Sequence, residues 1–239
     1  MAIRKFYGFS RERIRRKLVK AQILRDGFLF VDIPRTGSTT LRVLLSSSFP
    51  TYCKGHYSQT NDPISAAKGF IRIPEHIPAR VSKSQFTNEE WNSLWKFSIS
   101  RNPFHRIASM YKYRQSREGV QTGTFDEFVS SLRHPQYHSP SSAHFHQHWR
   151  ETQWSFLASE SNELLADDVF RFEDLESAYM QISERIGVSL STATRLQHSP
   201  DSLCKIDFMD SQTTQIIQEY YRDDFEYFGY DLDPPKVSD

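Results

Sequence analysis

Residues 28–33, Phe-Leu-Phe-Val-Asp-Ile, form an almost continuous apolar run. Runs of this kind belong to strands buried on both faces of a parallel sheet. A polar stretch follows, Pro34 to Thr40, and apolar positions resume at Leu41, Val43, Leu44 and Leu45. That set is broad enough to pack a helix on a sheet. The pattern predicts a strand over 28–33 and a helix from about Ser38 to Ser47. Residues 96–100, Lys-Phe-Ser-Ile-Ser, alternate as a strand does, and Pro103 at a helix N1 position starts a helix to about Tyr113. Val169-Phe-Arg-Phe172 predicts another short strand, followed by a helix with Leu175, Tyr179, Ile182 and Ile186 on one face. Thr87-Asn-Glu-Glu90 is a capping box that opens a short helix through Trp91. Ile216, Ile217, Tyr220 and Tyr221 mark an apolar C-terminal segment, whereas Pro50, Pro63, Pro74 and Pro78 predict irregular chain over 50–85. Strands alternating with helices predict an α/β fold, a mostly parallel central sheet flanked by helices.

Length and charge narrow this picture. A chain of 239 residues can bury one large α/β core. The expected division is a basic N-terminal helix, 1–26, ahead of a single domain, 27–239. The net charge of +1 argues against a nucleic-acid binder. The charge is uneven, however: Arg4, Lys5, Arg11, Arg13, Arg15, Arg16, Lys17 and Lys20 face only Glu12 in the first 20 residues. Residues 11–23 read as an amphipathic helix, either a solvated face or a docking face for an acidic partner or an anionic membrane surface. Cys53 and Cys204 are too few for a disulfide framework, which points to a reducing compartment. Neither an apolar run of membrane-spanning length nor an apolar stretch after the basic start is present, so a cytoplasmic location is expected.

The polar stretch carries the chemistry. A strand that passes to a helix through a tight loop aims backbone N–H groups and a helix N-terminus at one point, a geometry that binds phosphate-like anions. In Pro34-Arg-Thr-Gly-Ser-Thr-Thr40, Gly37 allows close backbone approach, Arg35 supplies charge, and Thr36, Ser38, Thr39 and Thr40 supply hydroxyls. The common nucleotide loop G-x-x-x-x-G-K-[ST] is absent. A second constellation, Ser98-Ile-Ser-Arg-Asn-Pro-Phe-His-Arg-Ile-Ala-Ser-Met-Tyr111, also follows a strand and opens a helix. Ligands of open parallel sheets bind beyond the carboxyl ends of the strands. Two anion-competent strand ends imply a ligand with two phosphate-like groups.

Together these motifs resemble the sulfotransferases that use 3′-phosphoadenosine 5′-phosphosulfate (PAPS), and within them the carbohydrate-type branch. The likeness continues through Val169-Phe-Arg-Phe-Glu-Asp-Leu175 and Tyr220-Tyr-Arg-Asp-Asp-Phe-Glu-Tyr-Phe-Gly-Tyr230, covering roughly 27–232. The resemblance implies a P-loop-like single domain in which Arg35 to Thr40 cradle the 5′-phosphosulfate and Arg101 and Ser109 bind the 3′-phosphate. It also implies a carbohydrate or glycolipid acceptor and no metal. Arg35 stands where the family usually has Lys; it keeps the charge but cannot give up a proton.

Sulfuryl transfer also needs a base for the acceptor hydroxyl. His76, 15 residues before Trp91, matches the family's histidine before the second strand, and His56 in Lys54-Gly-His-Tyr57 competes with it. His76 is preferred. His134, His138, His144, His146 and His148 form a histidine-rich connection without a recognisable zinc spacing. His148-Trp-Arg-Glu-Thr-Gln153 resembles an acceptor-groove run, although packing of Trp149 and Trp154 into the core is an equal reading. A P-loop-like kinase or nucleotide hydrolase, and a non-catalytic nucleotide or glycan binder, are the alternatives. Near-zero net charge argues against a long polyanionic glycan as acceptor.

Overall fold

The computed structural model describes residues 15–52, 73, 75–116, 123–133, 151–190 and 209–235. Three strands, β1 (Phe28–Val31), β2 (Trp95–Ser100) and β3 (Asp168–Arg171), form one parallel sheet in the order β1-β2-β3. Phe30 is in register with Phe97, which in turn faces Asp168. Every residue of β1 and β2 is buried, and β3 is half-buried. The alternation in Lys96 to Ser100 therefore does not mark a solvated face. As the central strand, β2 is covered on both sides, and its polar residues are buried with partners. Lys96 Nζ donates to Leu94 O at 2.8 Å and pairs with Asp167 at 3.0 Å, and Ser98 Oγ donates to Val31 O at 2.7 Å. Such partners offset the cost of burying polar groups.

Helices surround the sheet. Residues 15–26 form α1, which ends at Gly27. α2 (Ser38–Ser46) follows β1, and α3 (Ala79–Lys83) and α4 (Asn88–Ser93) precede β2. α5 (Pro103–Gln115) follows β2, and α6 (Phe125–Ser130) and α7 (Gln153–Leu157) come before β3. α8 (Leu175–Ile186), α9 (Ser211–Tyr220) and α10 (Arg222–Phe228) complete the described chain. The Thr87–Glu90 capping box is present in both directions, and Asn102 caps α5 with Pro103 in its first turn. Within the proline-rich stretch α3 is helical where irregular chain was expected. It is anchored by Arg80, whose Nη1 donates to Ser155 O at 2.7 Å. α6 carries a second capping box, Thr124–Glu127, of the same T-x-x-E form.

The core has two parts. Around the sheet, Phe28 stacks on Tyr52 at 5.4 Å and Phe30 on Phe97 at 5.3 Å. The Tyr52 hydroxyl accepts from Phe30 N at 2.9 Å, which satisfies a backbone donor on the outer edge of β1. Beyond the sheet, Phe104, Ile107 and Tyr111 of α5 pack with Phe128, Ile216, Ile217 and Phe225. α5 is thus held between the strand ends and the C-terminal helices, which fixes where its polar face points. Among the described residues no helix is long and apolar enough to cross a membrane.

Candidate functional site

The loop after β1 takes a strained course. Arg35 has φ 68° and Gly37 φ 82°, both left-handed. That conformation is uncommon for a non-glycine residue and persists where the surroundings enforce it. Thr36 is buried, and its hydroxyl donates to Ile33 O at 2.9 Å, closing the turn. Ser38 also points inward and hydrogen-bonds Asp32. Thr39 and Thr40 are half-buried in the first turn of α2.

Gly37 at the N-cap gives α2 no side-chain cap, and the first turn holds no acidic residue. By contrast, α4 and α6 each have a capping box with two acids in the first turn. The leading N–H groups of a helix need acceptors. Left without a side-chain cap, and with no acidic residue in the first turn, those of α2 are suited to an external anion.

The second strand end meets this loop. Arg101 follows β2 directly, and Ser109 lies two turns into α5. Arg35 donates from Nε and Nη2 to Ser109 Oγ at 3.0 and 2.9 Å. Its guanidinium lies over the Tyr113 ring, 4.7 Å from the centroid. Ser109 and Tyr113 are four residues apart, so one helix face supplies both contacts. Arg101 Nη1 donates to Arg35 O at 3.3 Å, and its guanidinium stacks over Phe172 at 4.2 Å. Arg101 Nε is buried without a hydrogen-bond partner. An orphaned charged donor beside a second cation is a fit for an incoming anion. Burial pushes the Arg101 guanidinium down to about 10; Glu173 opposes the shift and Arg35 adds to it. Burial also lowers Arg35. Two desolvated cations at one point are costly alone and are relieved by a phosphate-like dianion.

Several residues that the sequence reading did not assign hold this arrangement. Gln153 is fully buried. Its side chain accepts from Arg101 N and donates to Arg101 O, both at 2.8 Å. It positions Arg101 through both of that residue's backbone groups. Asp224 in turn accepts from Gln153 N at 2.9 Å and Trp154 N at 2.7 Å. Trp154 is buried and stacks on Tyr227 at 3.6 Å, as the core reading expected of it. Glu173 accepts from Asn102 N at 2.8 Å and from the Tyr230 hydroxyl at 3.1 Å. Arg106 is buried and donates to Pro34 O at 3.1 Å and Glu151 O at 3.0 Å, tying α5 to the loop.

Asp32, the residue after β1, is also buried, and it accepts a hydrogen bond from Arg42 Nε of α2. Burial alone would raise the Asp32 carboxyl; Arg42 and His76 outweigh it and hold the group well below the ordinary carboxylate range. His76 is a quarter exposed, with Nδ1 3.2 Å from Asp32 Oδ1 and 3.3 Å from Asp32 O. His76, one of the two candidate bases, therefore lies at the root of the anion loop. His56, the His134–His148 connection, Trp149, both cysteines and residues 1–14 lie outside the described residues.

A three-strand parallel sheet flanked by helices, with paired anion-competent loops at its carboxyl edge, is a P-loop-like α/β arrangement. The model of a family described as the sulfotransferase family matches residues 24–231. No curated protein and no solved structure matches the chain. The family match spans β1 to the last helix and includes both strand-end motifs, so this chain belongs to the sulfotransferase family.

Proposed function

We propose that the protein transfers a sulfuryl group from PAPS to a hydroxyl of a carbohydrate or glycolipid acceptor. The observation that carries this reading is the junction of Arg35, Ser109 and Arg101. It sets two strand-end anion sites side by side, an arrangement that a nucleotide with a 5′-phosphosulfate and a 3′-phosphate would span. The start of α2, with Gly37, Thr39 and Thr40, takes the 5′ side. Arg101 and Ser109 take the 3′-phosphate, and Arg35 reaches between the two. Thr36 and Ser38 shape the loop through their own internal hydrogen bonds.

The chemistry is an in-line displacement. The acceptor oxygen attacks sulfur and its proton passes to the His76 imidazole. The bond from sulfur to the bridging oxygen breaks, its electron pair leaving on the nucleotide phosphate. As in phosphoryl transfer, positioning and charge do most of the work. Arg35 stabilises the developing charge without donating a proton. No step calls on a metal. The basic N-terminal segment serves as a peripheral contact with anionic membrane surface, and the low cysteine count suits a cytoplasmic enzyme.

Transfer of label from PAPS to a panel of glycans and glycolipids tests the reading. Labelled acceptor is the expected result. Nucleotide binding without transfer to any hydroxyl would indicate a non-catalytic binder, and binding of ATP–Mg²⁺ without PAPS would indicate a kinase or hydrolase.

A further inference from the structure

The buried Asp32–Arg42 pair invites an explanation that stability does not supply. Replacing such a pair with apolar residues of similar volume is often neutral or stabilising. Here the pair also touches the mouth of the site. Asp32 precedes Arg35 by three residues, and its carboxylate is bound on one side by Arg42 and Ser38. On the other side it meets His76, whose Nδ1 is 3.2 Å from Oδ1 and 3.3 Å from the Asp32 backbone oxygen. A backbone carbonyl and an ionised carboxylate can only accept. Two acceptors around one ring nitrogen require that nitrogen to carry the proton. The basic lone pair then belongs to Nε2. His76 has φ 59°, a left-handed conformation that for a non-glycine residue persists only where its surroundings fix it.

We propose that Asp32 is a positioning residue for catalysis, holding the His76 imidazole with Nδ1 protonated and Nε2 basic, while Arg42 holds the Asp32 carboxylate in place from its other oxygen. The proposal rests on the reading of His76 as the base. The acceptor hydroxyl proton moves to Nε2 as its oxygen bonds to sulfur. Asp32 stabilises the imidazolium without taking the proton, which is afterwards lost to solvent. Among the described residues, Asp32 at the end of β1 and Arg42 of α2 are the charged groups that act on His76. Burial lowers the imidazole, Asp32 raises it by charge and hydrogen bonding, and Arg42 lowers it; the net direction is upward.

The direct test is nitrogen NMR of the full chain labelled at histidine, with the His76 signals assigned by loss in His76→Gln. Above its titration point, His76 should show a protonated Nδ1 and a bare Nε2. The opposite tautomer overturns the proposal. A second measurement uses labelled-PAPS transfer to the glycan and glycolipid panel. Asp32→Asn alone takes the carboxylate away from the buried Arg42 charge, so the paired variant Asp32→Asn with Arg42→Met is compared with wild type. A general base contributes about 10²–10⁴-fold, so loss of its orientation should lower kcat by roughly tenfold or more. KM for PAPS should hold steady, and the acidic limb of the pH–rate profile should move to lower pH. Unchanged kcat and an unmoved limb in a folded paired variant also overturn the proposal. The two levels separate cleanly. Wild-type turnover in His76→Gln removes the base reading, whereas an inactive His76→Gln with the wrong tautomer removes only the role of Asp32.

Discussion

Arg35 reaches Ser109 with two donors of one guanidinium, Nε at 3.0 Å and Nη2 at 2.9 Å, so a loop after the first strand and a helix after the second share a single oxygen. A lysine at this position offers one point charge and cannot make that fork. The contact explains how Arg can stand where the family usually has Lys: its extra length and planar head are anchored by Ser109 and by the Tyr113 ring. Arg35→Lys should therefore retain turnover at reduced affinity for the nucleotide, while Arg35→Ala loses both. A charge-assisted contact contributes about 1.5–3 kcal/mol, or roughly ten- to hundredfold in kcat/KM. Steady-state kinetics with PAPS decide this, and wild-type kcat/KM in Arg35→Ala would show that its charge plays no part.

Arg101 carries an orphaned buried Nε and is pressed by Arg35. An added phosphate should relieve both. Arg101→Ala should weaken binding of the desulfated product nucleotide by about 1.5–3 kcal/mol. Adenosine 5′-phosphate, which lacks the 3′ group, should bind the variant and wild type alike. Calorimetric titration of the two nucleotides distinguishes a 3′ role from a 5′ role, since equal losses on both would assign Arg101 elsewhere.

The Asp32–His76 pair sets a pH window for stability. The Asp32 carboxyl is held below its unfolded value of about 3.9, so its contribution is present above that value and lost as the pH falls through the folded value. His76 is raised above its unfolded value of about 6.5, so its contribution is complete below that value and lost as the pH rises through the folded one. Both contributions coincide between about pH 4 and 6.5. Melting temperatures should peak there. In His76→Gln the fall on the alkaline side should flatten, while the acid side persists. An unaltered alkaline limb in that variant would rule out the coupling.

Gly37 is the N-cap of α2 with φ 82°, and a Cβ there would lie 3.0 Å from two ring carbons of Phe172. Gly37→Ala combines left-handed strain of about 1–2 kcal/mol with a clash against the ring that carries Arg101. Lower thermal stability and weaker nucleotide binding should appear together. Adding Phe172→Leu should ease the clash without removing the backbone strain, so recovery should be partial; full recovery would mean that the strain is negligible.

Much of this arrangement was legible in the sequence because local rules and burial agreed. The apolar run 28–33, the capping box at Thr87 and Pro103 at a helix start specify β1, α4 and α5 through short-range physics. The β2 alternation identified a strand, but how its polar positions are satisfied was not legible, because the partners of Lys96 and Ser98 come from residues a strand pattern does not reveal. The cations at 35 and 101 stood out as charges next to turn signals. Asp32, Gln153, Glu173 and Asp224 did not. The contacts that tie them into the site, Asp32 to His76, Gln153 to Arg101, Glu173 to Asn102 and Asp224 to Gln153, span 44 to 71 residues of chain, and only folding brings a lone acid or amide to such a partner. Asp32 alone left a trace, as a carboxylate inside an otherwise apolar strand run.

Asp224 tests how far the site depends on such remote support. It is buried on α10 and accepts from the backbone N–H of Gln153 and of Trp154, and from the Gln153 side chain at 3.2 Å. Gln153 in turn pairs with both backbone groups of Arg101. Removing the carboxylate leaves two buried backbone donors unsatisfied, at about 1–3 kcal/mol each. Asp224→Ala should therefore lower the melting temperature substantially, and Asp224→Asn, which keeps one acceptor, should do so less. In the Asn variant, which retains the fold, slack in Gln153 should reach Arg101 and reduce affinity for the 3′-phosphorylated nucleotide while leaving adenosine 5′-phosphate binding unchanged. Selective loss of the 3′ contact from a residue that never touches the ligand would establish the chain Asp224–Gln153–Arg101 as the support of the second anion site. An equal loss for both nucleotides would reduce Asp224 to a general stabiliser of the fold.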